Sequence, residues 1–518
     1  MPGAWDLPID RRELLVAGAG GATALGLGTV PGWARKRPPG LLRAATFPCG
    51  VAAGRPYQRG IHLWTQLGTD ERAGRLRLEV AADAGFSRIV HEQDVRVRAD
   101  ADGTALVRVN GRLRPGERYH YRFRTRTTES PAGRFATARP PGSQEPLRIG
   151  FFSCQDFGTG YYTAHAGLAA EECDLILCLG DYIYETNSGG FAPERADATS
   201  AGESGECELL EEYRAKYRLY RSDPDLQAMH ATAAFLPTWD DHEVEDNYAG
   251  VNEGKTADQR PQRRIPFAER RANGYRAFFE QMPVLPTQNE PAGLYRKVPL
   301  GGLLEVFVLD ERQYRSDQTC GDVPGIPCPP PPADQTLLGR TQMEWFKRGL
   351  TGSRAAWKLV ASSVEMMGWD SAPGVPFNRD GWDGYPADRA EIGEHALAGA
   401  IEDITVVTGD VHHFAAGTVS TNGNVSGDAF ATEFVGGSIT SEFFDDPFAS
   451  YAENSQRTNP HMAYQRFDRR GYGVMDVTPE KLSVRYRAPA SIRERPAAIE
   501  TIAEFRVDRG STVVTRVA

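Results

Sequence analysis

Residues able to hold cations or move protons recur in this 518-residue chain directly after apolar runs. Cys154 follows LRIGFFS, Asp181 follows LILCLG, Asp240 and Asp241 follow FLPTW, and Asp410 follows ITVVTG. Such runs read as strands buried on both faces, and open α/β sheets gather their chemistry at strand carboxyl ends. LILCLGDYIYE, residues 175–185, is the clearest case: five apolar residues, a glycine that lets the backbone turn, Asp181, and the phenol of Tyr184 three residues on. Each position alone has a plainer explanation. Asp181 or Asp410 would cap a helix, Cys154 would be a buried thiol, Asp240 to Glu243 a solvated turn, and His412 and His413 partly buried histidines. If the strands run parallel, however, their ends share one edge, and thiol and carboxylates meet there. Like charges buried together are costly unless cations compensate them. Carboxylates with a phenolate and a thiolate suit ferric iron; carboxylate and carbonyl oxygens suit a divalent ion such as calcium.

The elements that must position these residues are legible in the same stretches. Seven apolar runs end in polar residues: LRIGFFSCQD, LILCLGDYIYE, FLPTWDDHEVEDNY, LLEVFVLDERQYRS, WKLVASSVEMM, ITVVTGDVHHF and TEFVGGSITS. Helical stretches lie between them. In ECELLEEYRAKYRLY, Leu210, Tyr213, Tyr217 and Tyr220 recur at helical spacing, and QMEWFKRGL and DRAEIGEHALAGAIE are similar in kind. The alternation predicts βαβ units and a mostly parallel, two-sided sheet. Thr186 to Glu206 reads as a loop rich in Gly, Ser and Ala.

Upstream, Leu41 to Ala138 alternates with period two between Gly, Pro and Asp turns, which predicts a small antiparallel sandwich. Its LRPGERYHYRFRT segment looks like the end of a fibronectin type III or immunoglobulin-like domain, and Arg139-Pro140-Pro141-Gly142 reads as a linker. The expected organisation is a signal region over 1–39, the sandwich over 40–140 and a catalytic domain over 146–518.

A net charge of -10 argues against a general nucleic-acid binder, since no basic stripe is present to neutralise phosphates. Arg11 and Arg12 before a weakly apolar, Gly-rich run to Val30 resemble a twin-arginine export signal, with the Tat machinery as partner and a secreted, periplasmic or cell-wall location. That run is a poor transmembrane helix, and no other segment approaches a span, so no transmembrane helix is expected in the mature protein. Of seven cysteines, Cys320 and Cys328 flank a Pro-rich loop and are the best disulfide candidates.

Taken together, FFSCQ, LGDYIYE, TWDDHEVEDNYAG, LDERQYRSD, GWDGYPADR, TGDVH and EFVGGSITS, in that order over about 148–440, resemble the PhoD-like alkaline phosphatase family. That family is similar to purple acid phosphatases within the metallophosphoesterase superfamily. The resemblance implies a four-layer α/β/β/α metallophosphoesterase sandwich preceded by a small all-β immunoglobulin/fibronectin-III-like domain, and a binuclear or larger centre of Fe3+ with Ca2+. By motif, Cys154, Tyr184 and His412 would ligate iron, Asp181 would bridge the metals, and Asp241 and Asp410 would ligate calcium. Asp240 would be a further ligand or a support for His242, which would face the phosphate and protonate the leaving group. Arg312 and Arg379 are candidates for phosphate contacts. No histidine stands in WKLVASSVEMM, where other members of the superfamily supply a ligand; Ser363 or a backbone carbonyl are the alternatives.

The expected function is hydrolysis of phosphate esters, on a small molecule or a phospholipid, by metal-activated hydroxide. A phosphodiesterase or phospholipase D-like hydrolase is the enzymatic alternative, decided by what covers the cleft, for which Thr186 to Glu206 and Glu442 to Pro460 are candidates. A catalytically inactive surface-binding protein is the alternative from another class.

Overall fold

The computed structural model describes residues 40–518 except 69–73, 189, 201–204, 255–262, 287–292, 322–324 and 442–448. Arg11, Arg12 and the rest of the expected signal region lie outside the described residues.

All seven apolar runs form strands, and each runs parallel to a neighbour, but they divide between two sheets. Leu147–Phe152, Leu175–Leu179 and Ala234–Thr238 are parallel neighbours in a ten-stranded sheet. Leu304–Val308, Trp357–Ala361, Ile404–Thr408 and Ala429–Gly436 are parallel neighbours in a seven-stranded one. Antiparallel strands flank both groups: Tyr472–Val477 pairs with Leu147–Phe152, and Arg296–Leu300 with Leu304–Val308.

Side-chain parity shows how the layers stack. Leu175, Leu177 and Leu179 share one core with Val306, Val308, Leu359 and Ala361 of the other sheet. The opposite parity, Ile176 and Cys178, packs with Leu168, Tyr217, Met229 and Phe278 from helices on the outer face. On the second sheet, Phe307, Val360, Val406 and Val435 pack with Met343, Phe346, Leu350 and Ile392 of the helices Gly339–Gly352 and Pro386–Ala398. The result is helix, sheet, sheet, helix. These are the four α/β/β/α layers that the family resemblance implies, and two facing sheets stand in place of the single two-sided sheet that strand alternation alone suggested. A strand covered by helices on both faces and one covered by a helix and a sheet need the same apolar residues.

The N-terminal strands also split. Ile89–Val97, Gly74–Ala81, Arg118–Arg124 and Gly133–Ala136 form a four-stranded antiparallel sheet. Val51–Tyr57, Gly60–Gln66 and Thr104–Asn110 instead extend the ten-stranded sheet, because Val51–Tyr57 pairs in parallel with Ala234–Thr238 at Ala53↔Ala234. Leu76, Leu78, Val80, Tyr121 and Phe123 close over Ile61, Leu63 and Val109 in the same continuous core. Cys320 and Cys328 are disulfide-bonded, with Cα atoms 6.3 Å apart, and the other five cysteines are buried free thiols. Among the described residues no helix is long and apolar enough to cross a membrane.

Two glycines let the strand ends converge. A Cβ on Gly180 would sit 2.4 Å from the Asp240 Cβ, and one on Gly409 would sit 2.5 Å from the Ser153 Cβ. Gly409 thus permits the seven-stranded sheet to bring Asp410 against the end of the ten-stranded one. Gly409→Ala is expected to destabilise the protein by about 1–3 kcal/mol, as overpacking of a tight interior does. Gly352→Ala, where a Cβ would meet nothing within 4 Å, serves as control. Thermal melting of both variants checks this: equal midpoints would refute the close-approach role of Gly409.

Candidate metal centre

The carboxyl ends of the strands formed by the seven apolar runs deliver the residues that matter. Cys154 leaves Leu147–Phe152, Asp181 leaves Leu175–Leu179, and Asp240 and Asp241 leave Ala234–Thr238. Arg312 follows Leu304–Val308, Ser363 follows Trp357–Ala361, Asp410 and His412 follow Ile404–Thr408, and Ser441 follows Ala429–Gly436. Cys154, Asp181, Asp410 and His412 all adopt left-handed backbone angles, with φ of 56°, 53°, 66° and 53°. Such angles cost non-glycine residues about 1–3 kcal/mol each and persist only where surrounding structure imposes them. Here they turn four donor side chains inward at the points where the strands stop.

Donor atoms converge in two groups that share one residue. Cys154, Asp181 and His412 bring ligand atoms within 4.8 Å of one another, as do Asp181, Asp241 and His242. Tyr184 joins the first group: its phenol oxygen donates to Asp181 Oδ2 at 3.2 Å and stands 3.1 Å from His412 Nε2. Asp181 Oδ1 and Asp240 Oδ2 are buried without a hydrogen-bond partner. Burial, followed by Asp241, drives the Asp181 carboxyl well above the usual carboxylate range. Burial and then Asp181 drive the Cys154 thiol and the Tyr184 phenol well above theirs. Buried anionic donors facing one another, two with unpartnered oxygens, match a site for cations. The mix of thiol, phenol, imidazole and carboxylate suits a transition metal at the first group, and the carboxylates of Asp181 and Asp241, with Asp240 and Asp410 beside them, suit a harder divalent ion at the second.

Asp240 and Asp410 sit beside these groups. Asp240 Oδ1 accepts from Arg312 Nε at 2.5 Å and from Ser363 Oγ at 2.9 Å. Asp410 Oδ2 accepts from Asn378 Nδ2 at 3.1 Å, and burial followed by Asp240 raises its carboxyl well above the ordinary value. Ser363, left open by the sequence, is thus in contact with the cluster through Asp240 and through Glu311 Oε2 at 3.1 Å.

Both candidate arginines make bonds within the protein. Arg312 is wholly buried and its guanidinium is held by Asp240 and by both oxygens of Asp380, at 2.9 and 2.5 Å, with Asp241 3.8 Å away. It acts as a resident counter-charge to the acidic wall rather than an outward phosphate contact. Arg379 Nη2 donates to the Ile326 carbonyl at 2.6 Å and holds the disulfide-closed loop. One letter of sequence does not distinguish an arginine aimed at a ligand from one aimed at a neighbouring carboxylate.

His242 lies at the open side of the cluster, its side chain 17 % exposed. Its Nδ1 is 2.7 Å from the buried Glu185 carboxylate, whose other oxygen accepts the Asp246 N–H at 3.0 Å. Burial opposes the charged imidazole, but Asp241, Glu185 and Asp181 outweigh it and hold its pKa well above the ordinary value. Burial likewise opposes the Asp241 carboxylate, yet Arg312 and His242 keep it below the usual range. Glu185 was not singled out from the sequence, although it closes the same LGDYIYE stretch.

Other glutamates missed by sequence reasoning tie the strand ends together. Glu243 accepts the N–H groups of Asp181, Tyr182 and Asp240 at 3.2, 2.7 and 2.9 Å, joining two neighbouring strands. Glu311 accepts from Ser362 Oγ at 2.7 Å and from the Ser363 N–H at 2.5 Å. Burial pushes both carboxyls up to about 7. Within Thr186 to Glu206, Asp197 and Arg195 are held by buried ion pairs, Lys216–Asp197 at 2.7 Å and Arg195–Asp223 at 2.8 Å, while 189 and 201–204 lie outside the described residues. In the other candidate cover, 442–448 lie outside the described residues.

Similarity to known proteins identifies the family. The PhoD-like phosphatase model matches residues 149–486, and the model of the PhoD-like phosphatase N-terminal domain matches 34–139. Alkaline phosphatase D of Bacillus subtilis (strain 168) is 33% identical, covering 98% of this chain and 89% of its own. A solved structure of PhoD superposes with a TM-score of 0.80 at 33% identity, over 91% of this chain and 92% of that one. A purple acid phosphatase from yellow lupin seeds shares the fold, with a TM-score of 0.56 at 13% identity over 89% of this chain and 74% of its own. The chain therefore belongs to the PhoD-like phosphatase family and is a phosphoric ester hydrolase.

Proposed function

We propose that this protein is an exported alkaline phosphatase that hydrolyses phosphate monoesters at a mixed Fe3+/Ca2+ centre. The observation that carries the reading is the position of Asp181, shared by both donor groups and retaining a buried oxygen with no partner. Cys154, Tyr184 and His412 would hold iron, Asp181 would bridge, and Asp241 with Asp410 would hold calcium. Asp240, committed through one oxygen to Arg312, has its second oxygen available as a further ligand. Bound there, the metals would supply a hydroxide nucleophile near neutral pH and positive charge for the phosphoryl oxygens.

The chain's own residues supply the rest. His242 faces the open side and would carry the proton for the leaving alkoxide on Nε2. Glu185 takes Nδ1–H and fixes the ring, so that one nitrogen is committed and Nε2, 3.9 Å from Asp246 Oδ1, is left for the leaving group. Arg312, paired with Asp240 and Asp380, keeps the calcium side from carrying more negative charge than its ions can balance. Export is supported by the Arg11–Arg12 pair and by the Cys320–Cys328 disulfide, which forms readily in an oxidising compartment. Arg11→Lys with Arg12→Lys is expected to leave the protein inside the producing cell, and fractionation of the culture reads this directly.

Two measurements bear on the catalytic reading. His242→Ala is expected to lower kcat on an aryl phosphate by about 10²- to 10⁴-fold, the range of a lost general acid. Glu185→Gln should lower it by about 10- to 100-fold, as loss of a charge-assisted hydrogen bond of about 1.5–3 kcal/mol implies. Activity within a few-fold of wild type in either variant would remove that residue from the mechanism. Separately, Asp181→Asn should lose both metals, by elemental analysis, together with activity. A variant that kept both would defeat the bridging assignment. Rates on mono- and bis-(nitrophenyl) phosphate separate the monoesterase from a phosphodiesterase.

A further inference from the structure

Ser441 is buried just past the end of Ala429–Gly436, and its hydroxyl meets the Tyr184 phenol and two backbone groups of the Cys154–Asp156 turn. Oγ lies 2.7 Å from the Tyr184 phenol oxygen, 2.9 Å from the Cys154 carbonyl and 3.2 Å from the Asp156 nitrogen. The Ser441 N–H also donates to the Cys154 carbonyl, at 3.3 Å. That carbonyl therefore keeps a donor when the hydroxyl rotates away from it.

The surroundings of the Tyr184 oxygen make this rotation informative. Its other polar neighbours are the Asp181 carboxylate at 3.2 Å and His412 Nε2 at 3.1 Å. As a phenol, Tyr184 has a proton to give to Asp181. As a metal-bound phenolate it can only accept, Asp181 becomes a repulsive neighbour, and His412 Nε2 is itself claimed as a ligand. Ser441 Oγ–H is then the hydrogen-bond donor that geometry offers, at the short distance typical of a charged acceptor. We propose that Ser441 is a positioning residue for Tyr184, donating to its phenolate, fixing the ring's bearing on the metal, and tuning the electron density offered to iron.

The inference rests on the iron reading above and extends it to a residue outside the ligand set. Hydrogen-bond partners of metal ligands orient them and adjust their basicity, and losing one typically costs about 10- to 100-fold in metal affinity. It also predicts an optical consequence. A hydrogen bond lowers the filled orbitals of a phenolate, so its removal should move a tyrosinate-to-iron charge-transfer band to longer wavelength.

The test uses visible spectra of the full-length, iron-loaded protein. Wild type should show a charge-transfer band that Tyr184→Phe abolishes. Ser441→Ala should retain the band at longer wavelength and bind iron about 10- to 100-fold more weakly, while Ser441→Thr, which keeps the hydroxyl, should restore the wild-type position. Ser441→Cys, of similar shape but with a weak S–H donor, should shift the band in the same direction as alanine and provides the reading if the alanine variant does not fold. A band unmoved in both Ser441→Ala and Ser441→Cys would overturn the role of Ser441 while leaving iron ligation by Tyr184 intact. A wild-type spectrum without the band, or one that survives Tyr184→Phe, would overturn the iron reading and the inference with it.

Discussion

Carboxylates, a thiol and a phenol buried side by side repel one another once ionised, and the rest of this structure is arranged around that problem. Asp181, Asp240, Asp241, Asp410, Cys154 and Tyr184 meet where two sheets abut. The protein answers part of the repulsion with its own cations: Arg312 pairs with Asp240 and Asp380, and Arg315 with Asp380. Those arginines lie on one side only. Around Cys154, Asp181 and Tyr184, no arginine or lysine pair is recorded among the described residues, and burial there drives each group toward its neutral form. The arginines offset part of the charge on the Asp240 and Asp380 flank, where Asp240 still keeps an unpartnered oxygen, and leave the Cys154, Asp181 and Tyr184 flank without such a counter-charge.

Holding such a cluster requires a rigid frame, and the frame is built from backbone. Glu243 and Glu311 bridge the ends of adjacent parallel strands through N–H and hydroxyl groups, and Glu433 accepts the Met366 and Met367 N–H groups at 2.9 and 2.5 Å. These glutamates spend their oxygens on the fold, whereas Asp181 and Asp240 each keep one back. The same frame forces Cys154, Asp181, Asp410 and His412 into left-handed conformations. Strain and unsatisfied oxygens therefore coincide at one place, the pattern expected where stability is spent on function.

Much of this was legible in advance. The seven apolar runs all form strands with a parallel neighbour, and the donor residues that follow Leu147–Phe152, Leu175–Leu179, Ala234–Thr238 and Ile404–Thr408 do approach one another. The reason is general: continuous apolar runs ending in Gly-Asp, as at Gly180-Asp181 and Gly409-Asp410, record both burial and a turn. Less legible were the partners of those residues. Arg312 lies in a motif with the composition of a phosphate contact, yet its bonds run to Asp240 and Asp380, 72 and 68 positions away in the chain. Glu185 and Ser441 carry no local signal, because a carboxylate or hydroxyl after a turn has the same sequence appearance whether it faces solvent, a histidine or a phenolate.

The sequence by itself determined which segments are strands, which residues stand at their carboxyl ends, and that several anionic donors compete for one region. Hydrophobic run length and local turn chemistry are properties of neighbours in the chain, so the chain records them. Only the tertiary structure decided which faces of the two sheets pack together, that Arg312 pairs with Asp240 and Asp380, that Glu185 holds His242, and that Ser441 addresses Tyr184. Each of these depends on distances between residues from separate strands, set by how two apolar faces stack and by how closely Gly180 and Gly409 let their ends approach.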